Sequence, residues 1–246
     1  MAKKKKEVDA IAESTAIVSN PSNALSYKVV LKCMNKKQKD LVKAIEDNKI
    51  TFVQGVFGVG KTFVINSVAL QMLKNPENNI KKIILILPTN QCSSMDIGLL
   101  PGTQDDKTSA FSINEYDAFR KILQKSGNCC PEMQLNCLIE NGFIETRPLS
   151  FLRGASFEDA FICVSEAEEF TREELFLILS RYESGKMVIS GDPLQAYRSQ
   201  VKNGNSGLLH GIERLEGLDG VGVVRFEDED IVRNDILLDI YRKWKD

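Results

Sequence analysis

Gly55, Val56, Phe57, Gly58, Val59, Gly60, Lys61 and Thr62 follow the pattern GxxxxGK[ST], between a short apolar run and a helix-forming stretch. That context makes the pattern a phosphate cradle. Glycines admit the backbone angles that turn successive N–H groups inward into an anion-binding nest. The start of the following helix adds partial positive charge. Lys61 can reach the β- and γ-phosphates of a nucleotide, and the Thr62 hydroxyl can ligate Mg²⁺.

A P-loop ATPase needs a second element, an apolar strand ending in Asp-Glu. Here the apolar run Ala160–Val164 ends in Ser165-Glu166. Ser165 occupies the position of the metal-shell carboxylate but brings no charge to Mg²⁺, so it holds the metal only weakly. Glu166 is in place to orient or deprotonate an attacking water. Glu168 and Asp192 are nearby candidates for the missing charge. A serine that caps a helix after a core strand is an equal alternative. A third element is Val188–Gln195, a strand ending in Gly191-Asp192 and then Gln195. It presents polar side chains at the carboxyl edge, where open α/β sheets bind ligands. Gln195 can sense a γ-phosphate or place the water there; a plain turn before a helix is the competing view.

These residues need elements to hold them, and the apolar patterning supplies a regular alternation. Leu41, Val42, Ala44 and Ile45 are spaced for one helix face, followed by a strand over 50–54 and a helix over 61–73. A continuous apolar run at 82–87 reads as a strand buried on both faces. Helices are expected near 113–125 and 131–141, and a short extended piece at 144–146. After the strand at 160–164, Thr171-Arg-Glu-Glu174 has the form of a capping box opening a helix to about Tyr182. Strands at 186–190 and 221–226 alternate with helices at 207–215 and 234–244. The pattern predicts an α/β fold, a parallel sheet with helices on both faces. Residues 1–27, which include Lys3–Lys6, read as a flexible Lys/Ser-rich tail, and 28–246 as a single domain.

The 246 residues are 43% hydrophobic and 27% charged, ordinary for a globular protein. No apolar run approaches the roughly 20 residues of a membrane span, and no apolar segment of the secretory type follows Lys3–Lys6, so no membrane association is expected. The six cysteines form no CxxC pair and the single histidine, His210, is remote, which argues against zinc and for free thiols in a reducing compartment. Net charge is −2, yet residues 1–50 hold 11 lysines against 6 acidic residues. A nucleic-acid contact would therefore be a local groove, with Arg147, Phe151, Arg153, Tyr197 and Arg198 as its candidates.

Several further segments belong together. Gln38 lies ahead of the first strand. Ile97–Gly102 reads Ile-Gly-Leu-Leu-Pro-Gly, Glu115–Ala118 reads Glu-Tyr-Asp-Ala, and Ile144–Gly154 reads Ile-Glu-Thr-Arg-Pro-Leu-Ser-Phe-Leu-Arg-Gly. Gly191-Asp-Pro-Leu-Gln195 and Asp230-Ile-Val-Arg233 complete the set. From about Asn35 to Trp244 the chain resembles the PhoH family of phosphate-starvation-type P-loop ATPases, in a short, phage-like form. The resemblance implies a RecA-like P-loop NTPase core related to superfamily 1 helicases, with ATP and Mg²⁺ as cofactors. It also implies ring-shaped homo-oligomers, hexamers among them, a cytoplasmic location (the host's, if phage-encoded) and single-stranded RNA or DNA as partner. It makes Gln38 an adenine reader and Arg233 an arginine finger, acting on a neighbouring subunit's γ-phosphate or within the chain. The family's Asp-Glu-Ala-Gln-Asn is here Ser165-Glu166-Ala167-Glu168-Glu169. Nucleotide binding is thus better supported than fast hydrolysis. The expected function is a Mg²⁺-dependent ATPase coupled to single-stranded nucleic acid, RNA favoured, with a nucleotide-binding switch of little turnover as the alternative.

Overall fold

The computed structural model describes residues 24–88 and 104–245. Lys3–Lys6 and Ile97–Gly102 lie outside the described residues. The chain order is α1 (Lys36–Asp47), β1 (Ile50–Gln54), α2 (Lys61–Lys74), β2 (Lys82–Ile86), α3 (Gln104–Lys125), α4 (Pro131–Glu140) and β3 (Ile144–Thr146). It continues with β4 (Ala160–Val164), α5 (Arg172–Leu179), β5 (Gly185–Gly191), α6 (Ser199–Lys202), α7 (Gly207–Leu215), β6 (Val221–Arg225) and α8 (Asp235–Lys245). The strands form one sheet in the order β3-β2-β4-β5-β1-β6, and every pairing is parallel.

Successive side chains of a strand point to opposite faces, so a strand covered on both faces must be apolar at every position. In β2, Ile83 and Leu85 enter one core while Ile84 and Ile86 enter the other. In β4 the split is Phe161 and Cys163 against Ala160, Ile162 and Val164. The first core is closed by α1, α2, α3 and α4 through residues such as Leu41, Val68, Phe119 and Leu135. The second is closed by α5 and α7 through Leu175, Ile178, Leu208 and Ile212. This is the expected α/β core, a parallel sheet with helices on both faces. Because all strands run the same way, every strand–helix loop that matters leaves from one carboxyl edge.

Three expectations need revising. The helix before Ser126 starts at Gln104, well ahead of residue 113. Among the described side chains of this helix the buried apolar ones are Phe119, Ile122 and Leu123, in its last turns. Helix α5 has the capping box, with the Thr171 N–H donating to Glu174 and the Glu174 N–H to Thr171. It ends at Leu179, not near Tyr182, whose hydroxyl donates instead to the Gly185 carbonyl at 3.0 Å.

Of the segment expected as a tail, residues 1–23 lie outside the described residues, and residues 24–27 are packed. Tyr27 is 1% exposed and its hydroxyl donates to the Leu70 carbonyl at 2.8 Å, while Gln134 donates to the Ala24 carbonyl at 2.7 Å. These residues are fixed by side-chain bonds to backbone, which leave no periodicity in a sequence. No described helix is long and apolar enough to cross a membrane. If Tyr27 is core, Tyr27→Ala costs about 3 kcal/mol in urea unfolding, as large aromatic truncations do. A tail residue would cost nothing.

Candidate functional site

The phosphate loop hangs between β1 and α2 and is anchored from beneath. Val56 and Val59 are buried in the first core, so their side chains point inward and leave backbone N–H groups for a ligand. Gly60, at φ +85°, is the residue before α2, and no side chain caps the helix there. A Cβ at Gly60 would also come within 2.8 Å of Gln38 Nε2. The open N-terminus and the left-handed glycine are what an anion nest requires.

Gln38 is a strut under this loop. It is buried, its Nε2 donates to the Val59 carbonyl at 2.8 Å, and its Oε1 accepts from the Met34 N–H at 2.6 Å. Both ends of the amide are therefore engaged with backbone, which ties the loop to the segment entering α1.

Lys61 Nζ donates to the Gly55 carbonyl and, at 2.9 Å, to the Val56 carbonyl. Burial lowers its pKa, and the negative charges of Asp192, Glu168 and Glu166 oppose that shift. Thr62 is exposed in the first turn of α2. Glu166, at φ 52°, is turned out of the strand direction directly after Ser165.

Glu168 is buried, accepts the Asp192 N–H at 3.0 Å, and shares a hydrogen bond with Glu166. Burial first, and then the Glu166 carboxylate, push its pKa up to about 8. The hydrogen bond between the two carboxyl groups orients the Glu166 side chain. Gly191 leaves the room this requires, since any side chain there would strike Glu168. Glu168 is thus held against both Asp192 and Glu166, and it stands with Asp192 as a candidate for the missing charge. Asp192 is closer to the role by its charge beside Lys61, but its Oδ1 accepts from Leu194 N–H at 3.1 Å and its Oδ2 from Gln195 Nε2 at 2.7 Å. Gln195 is exposed at that turn and held by Asp192.

One buried carboxylate escaped sequence reasoning. Glu115, on α3, is 6% exposed and accepts from Asn66 Nδ2 at 2.9 Å. Burial raises its pKa, and the hydrogen bond from Asn66 opposes that shift. The helix-cap alternative for Ser165 does not hold, because the residue preceding the next short helix is Glu166. A signal for Glu115 was available. It falls on the stripe of Phe119, Ile122 and Leu123, where a charged residue has no business unless it is paired.

The last part of the chain covers the loop. Phe226 packs against Gly55, and Ile231, Arg233 and Leu237 flank Gly58. Val232 N–H donates to the Gly58 carbonyl at 3.1 Å. The rings of Phe57 and Tyr241 meet edge to face at 5.8 Å. Arg233 is exposed, and its charge acts on Lys61 of the same chain.

Of the basic candidates, Arg198 is committed elsewhere, to Glu174 at 2.7 Å and to the Glu169 carbonyl at 2.6 Å. Glu169 in turn accepts the Tyr197 N–H at 2.8 Å, so it orders this loop. Arg147 pairs with Glu145 at 3.1 Å. Phe151, Arg153 and Tyr197 are exposed on loops leaving the same sheet edge as the phosphate loop. His210 is half-buried in α7 beside a cleft of about 460 Å³ that also touches Leu194, Lys202 and Leu209.

The donor set fits a Mg²⁺–nucleotide. Among the described residues no three His, Cys, Asp or Glu side chains converge as a metal cage. Mg²⁺ characteristically takes few protein ligands and completes its shell with water and phosphate oxygens. The hydroxyls of Thr62 and Ser165 suit that role.

Fold and site together define a P-loop nucleotide-binding protein. The PhoH-like protein model matches residues 30–245, and the chain belongs to that family. It is 32% identical over 223 residues to the PhoH-like protein of Bacillus subtilis, covering 90% of this chain and 66% of that one. It is 31% identical over 201 residues to protein PhoH of Escherichia coli K12, covering 81% of this chain and 54% of the relative. The chain thus spans between about half and two thirds of these relatives. Among solved structures, the helicase domain of Pyrococcus furiosus Hef aligns at 15% identity and a TM-score of 0.43, over 79% of this chain and 39% of that one.

The Glu168 proton gives a pH dependence. The unfolded chain loses it near 4.5 and the native protein near 8, so the native state binds more protons between those values. Its contribution to stability is complete below about 4.5 and falls as pH rises to 8. Glu168→Gln, a neutral mimic, should raise Tm over wild type by several degrees at pH 8.5 and by much less at pH 5. Parallel melting curves would refute this.

Proposed function

We propose that this chain binds ATP with Mg²⁺ and hydrolyses it, and that nucleotide state is coupled to single-stranded nucleic acid, RNA before DNA. The observation that carries the reading is Lys61 at the mouth of a glycine nest, surrounded by Glu166, Glu168 and Asp192 at one sheet edge. A bound Mg²⁺ supplies neutralisation of the phosphate oxygens. The nest N–H groups and Lys61 hold the phosphates, and Thr62 and Ser165 offer oxygens to the metal shell. Glu166, steadied by Glu168, receives the proton of the attacking water, and Gln195, held by Asp192 at the end of the neighbouring strand β5, senses the γ-phosphate.

The nucleic-acid part is supported by Phe151, Arg153 and Tyr197, exposed at that same edge. Aromatic rings there can stack bases and Arg153 can meet phosphates. A switch with little turnover is favoured by one observation, the uncharged Ser165.

Steady-state ATP hydrolysis in Mg²⁺, with and without poly(U) or poly(dT), tests the reading. Turnover stimulated by poly(U) and reduced at least 100-fold by Lys61→Ala is the expected result. ATP binding without turnover would select the switch. Arg233 is proposed to act on its own chain, because its Cβ lies 3.5 Å from the position a Gly58 Cβ would take. Mixing Lys61→Ala and Arg233→Ala proteins should then restore no activity. Recovery in the mixture would show that the arginine works across subunits.

A further inference from the structure

Gly60 closes the phosphate loop, and the side chains of Gln38 and Val232 flank it. The position of a Gly60 Cβ lies 2.8 Å from Gln38 Nε2 and 4.0 Å from Val232 Cγ2. Two side-chain amides stand on this flank, Asn35 and Gln38, and both are spent on the chain itself. Asn35 caps α1: its Oδ1 accepts the Gln38 N–H at 2.9 Å, and its Nδ2 donates to the Asp230 carbonyl at 3.1 Å. Gln38 comes three residues later, where a glutamine can complete a helix cap by reaching back along the chain. Its Oε1 accepts the Met34 N–H at 2.6 Å, and its Nε2 donates to the Val59 carbonyl at 2.8 Å.

An amide reads a base edge by offering it a donor and an acceptor side by side. Gln38 has used one of each, and with 3% of its surface exposed its second N–H and remaining lone pair have no open approach. To turn toward a base it would have to release the Val59 carbonyl and the Met34 N–H together. The loop that presents N–H groups to the phosphates would lose its strut in the same movement. Holding the loop and reading a base are therefore competing uses of one amide, and the structure spends it on the loop. Beside the two amides, the open apolar side chains are Met34, 67% exposed, and Val232, 37% exposed. Apolar contact with a base grows with the area covered and has no direction, so it does not tell one edge pattern from another.

We propose that this site selects its nucleotide by the triphosphate and not by the base. Its substrate class is nucleoside triphosphates at large, with guanine and pyrimidine nucleotides accepted beside ATP. Gln38 is a positioning residue that acts on the phosphates through the Val59 carbonyl, in place of the base-reading role that the family resemblance implies. The proposal rests on the reading of the site as a Mg²⁺–nucleotide pocket and names the substrate class of that site.

The test is displacement of a ribose-labelled fluorescent ATP analogue from the full chain in Mg²⁺, with ATP, GTP, CTP, UTP and inorganic tripolyphosphate as competitors. In wild type the four nucleotides should have Kd values within about tenfold of one another, whereas a site built to hydrogen-bond one base rejects the others by about 10⁴-fold. A preference for ATP over GTP larger than tenfold would overturn the proposal. Gln38→Ala, checked for folding by circular dichroism, should weaken all four nucleotides and tripolyphosphate alike, by about tenfold, because the loop is no longer held ready. A loss confined to ATP would make Gln38 a base reader, and no loss at all would remove its role as a strut; either overturns the proposal. If Gln38→Ala fails to fold, the wild-type series decides by the same limit. Failure of the underlying reading looks different: wild type would bind no analogue at all, and the proposal would fall with it.

Discussion

Everything at this site depends on holding a short backbone loop with its N–H groups facing outward. A loop cannot do that by itself, because its amides would otherwise turn to water or to each other. Here the anchoring is apolar from below and polar from the side. Val56 and Val59 are drawn into the core under the sheet edge, and Gln38 grips the Val59 carbonyl. Gly60 is pinned between Gln38 and Val232, which leaves no room for any side chain. The same glycine supplies the left-handed turn into α2. Loop shape and helix direction are thus fixed together.

With the loop fixed, the charges sort themselves by depth. Lys61 is buried enough to resent its own charge, and three acids around it offset that cost. The acids are not equivalent. Glu168 lies deep, so burial holds its pKa up, and it shares a hydrogen bond with Glu166. Asp192 spends its oxygens on the turn that follows β5, so its charge reaches Lys61 through space while its geometry serves the fold. Similar carboxylates thereby take different roles through burial and partners.

The sequence carried the frame of this arrangement well. Strands buried on both faces announce themselves as unbroken apolar runs, and β2 and β4 are such runs because two separate cores claim alternate residues. The phosphate loop has its own signature, and the Thr171 capping box is local chemistry written in four residues. What escaped was whatever depends on distant contacts. Tyr27 sits in a stretch without period, yet a single hydrogen bond to Leu70 and a buried ring make it core. Arg198 has the look of a free cation beside an aromatic ring, but Glu174 and Glu169 consume it. Glu115 is intermediate: its position on the Phe119 stripe marks it as unusual, while its partner Asn66 is 49 residues away.

The covering of the loop by residues 226–241 bears on how such a site would respond to its ligand. Phe226, Val232 and Tyr241 touch Gly55, Gly58 and Phe57 directly, so no reshaping of the loop can leave the C-terminal segment indifferent. Arg233 belongs to this covering segment, and Asn35 at the entrance to α1 donates to the Asp230 carbonyl at 3.1 Å. The loop, its strut and its cover are consequently one packed unit drawn from both ends of the described chain. Packed units of this kind shift between discrete arrangements more readily than they deform continuously. A phosphate at the loop would attract the Arg233 guanidinium and so pull on the segment that leads into α8.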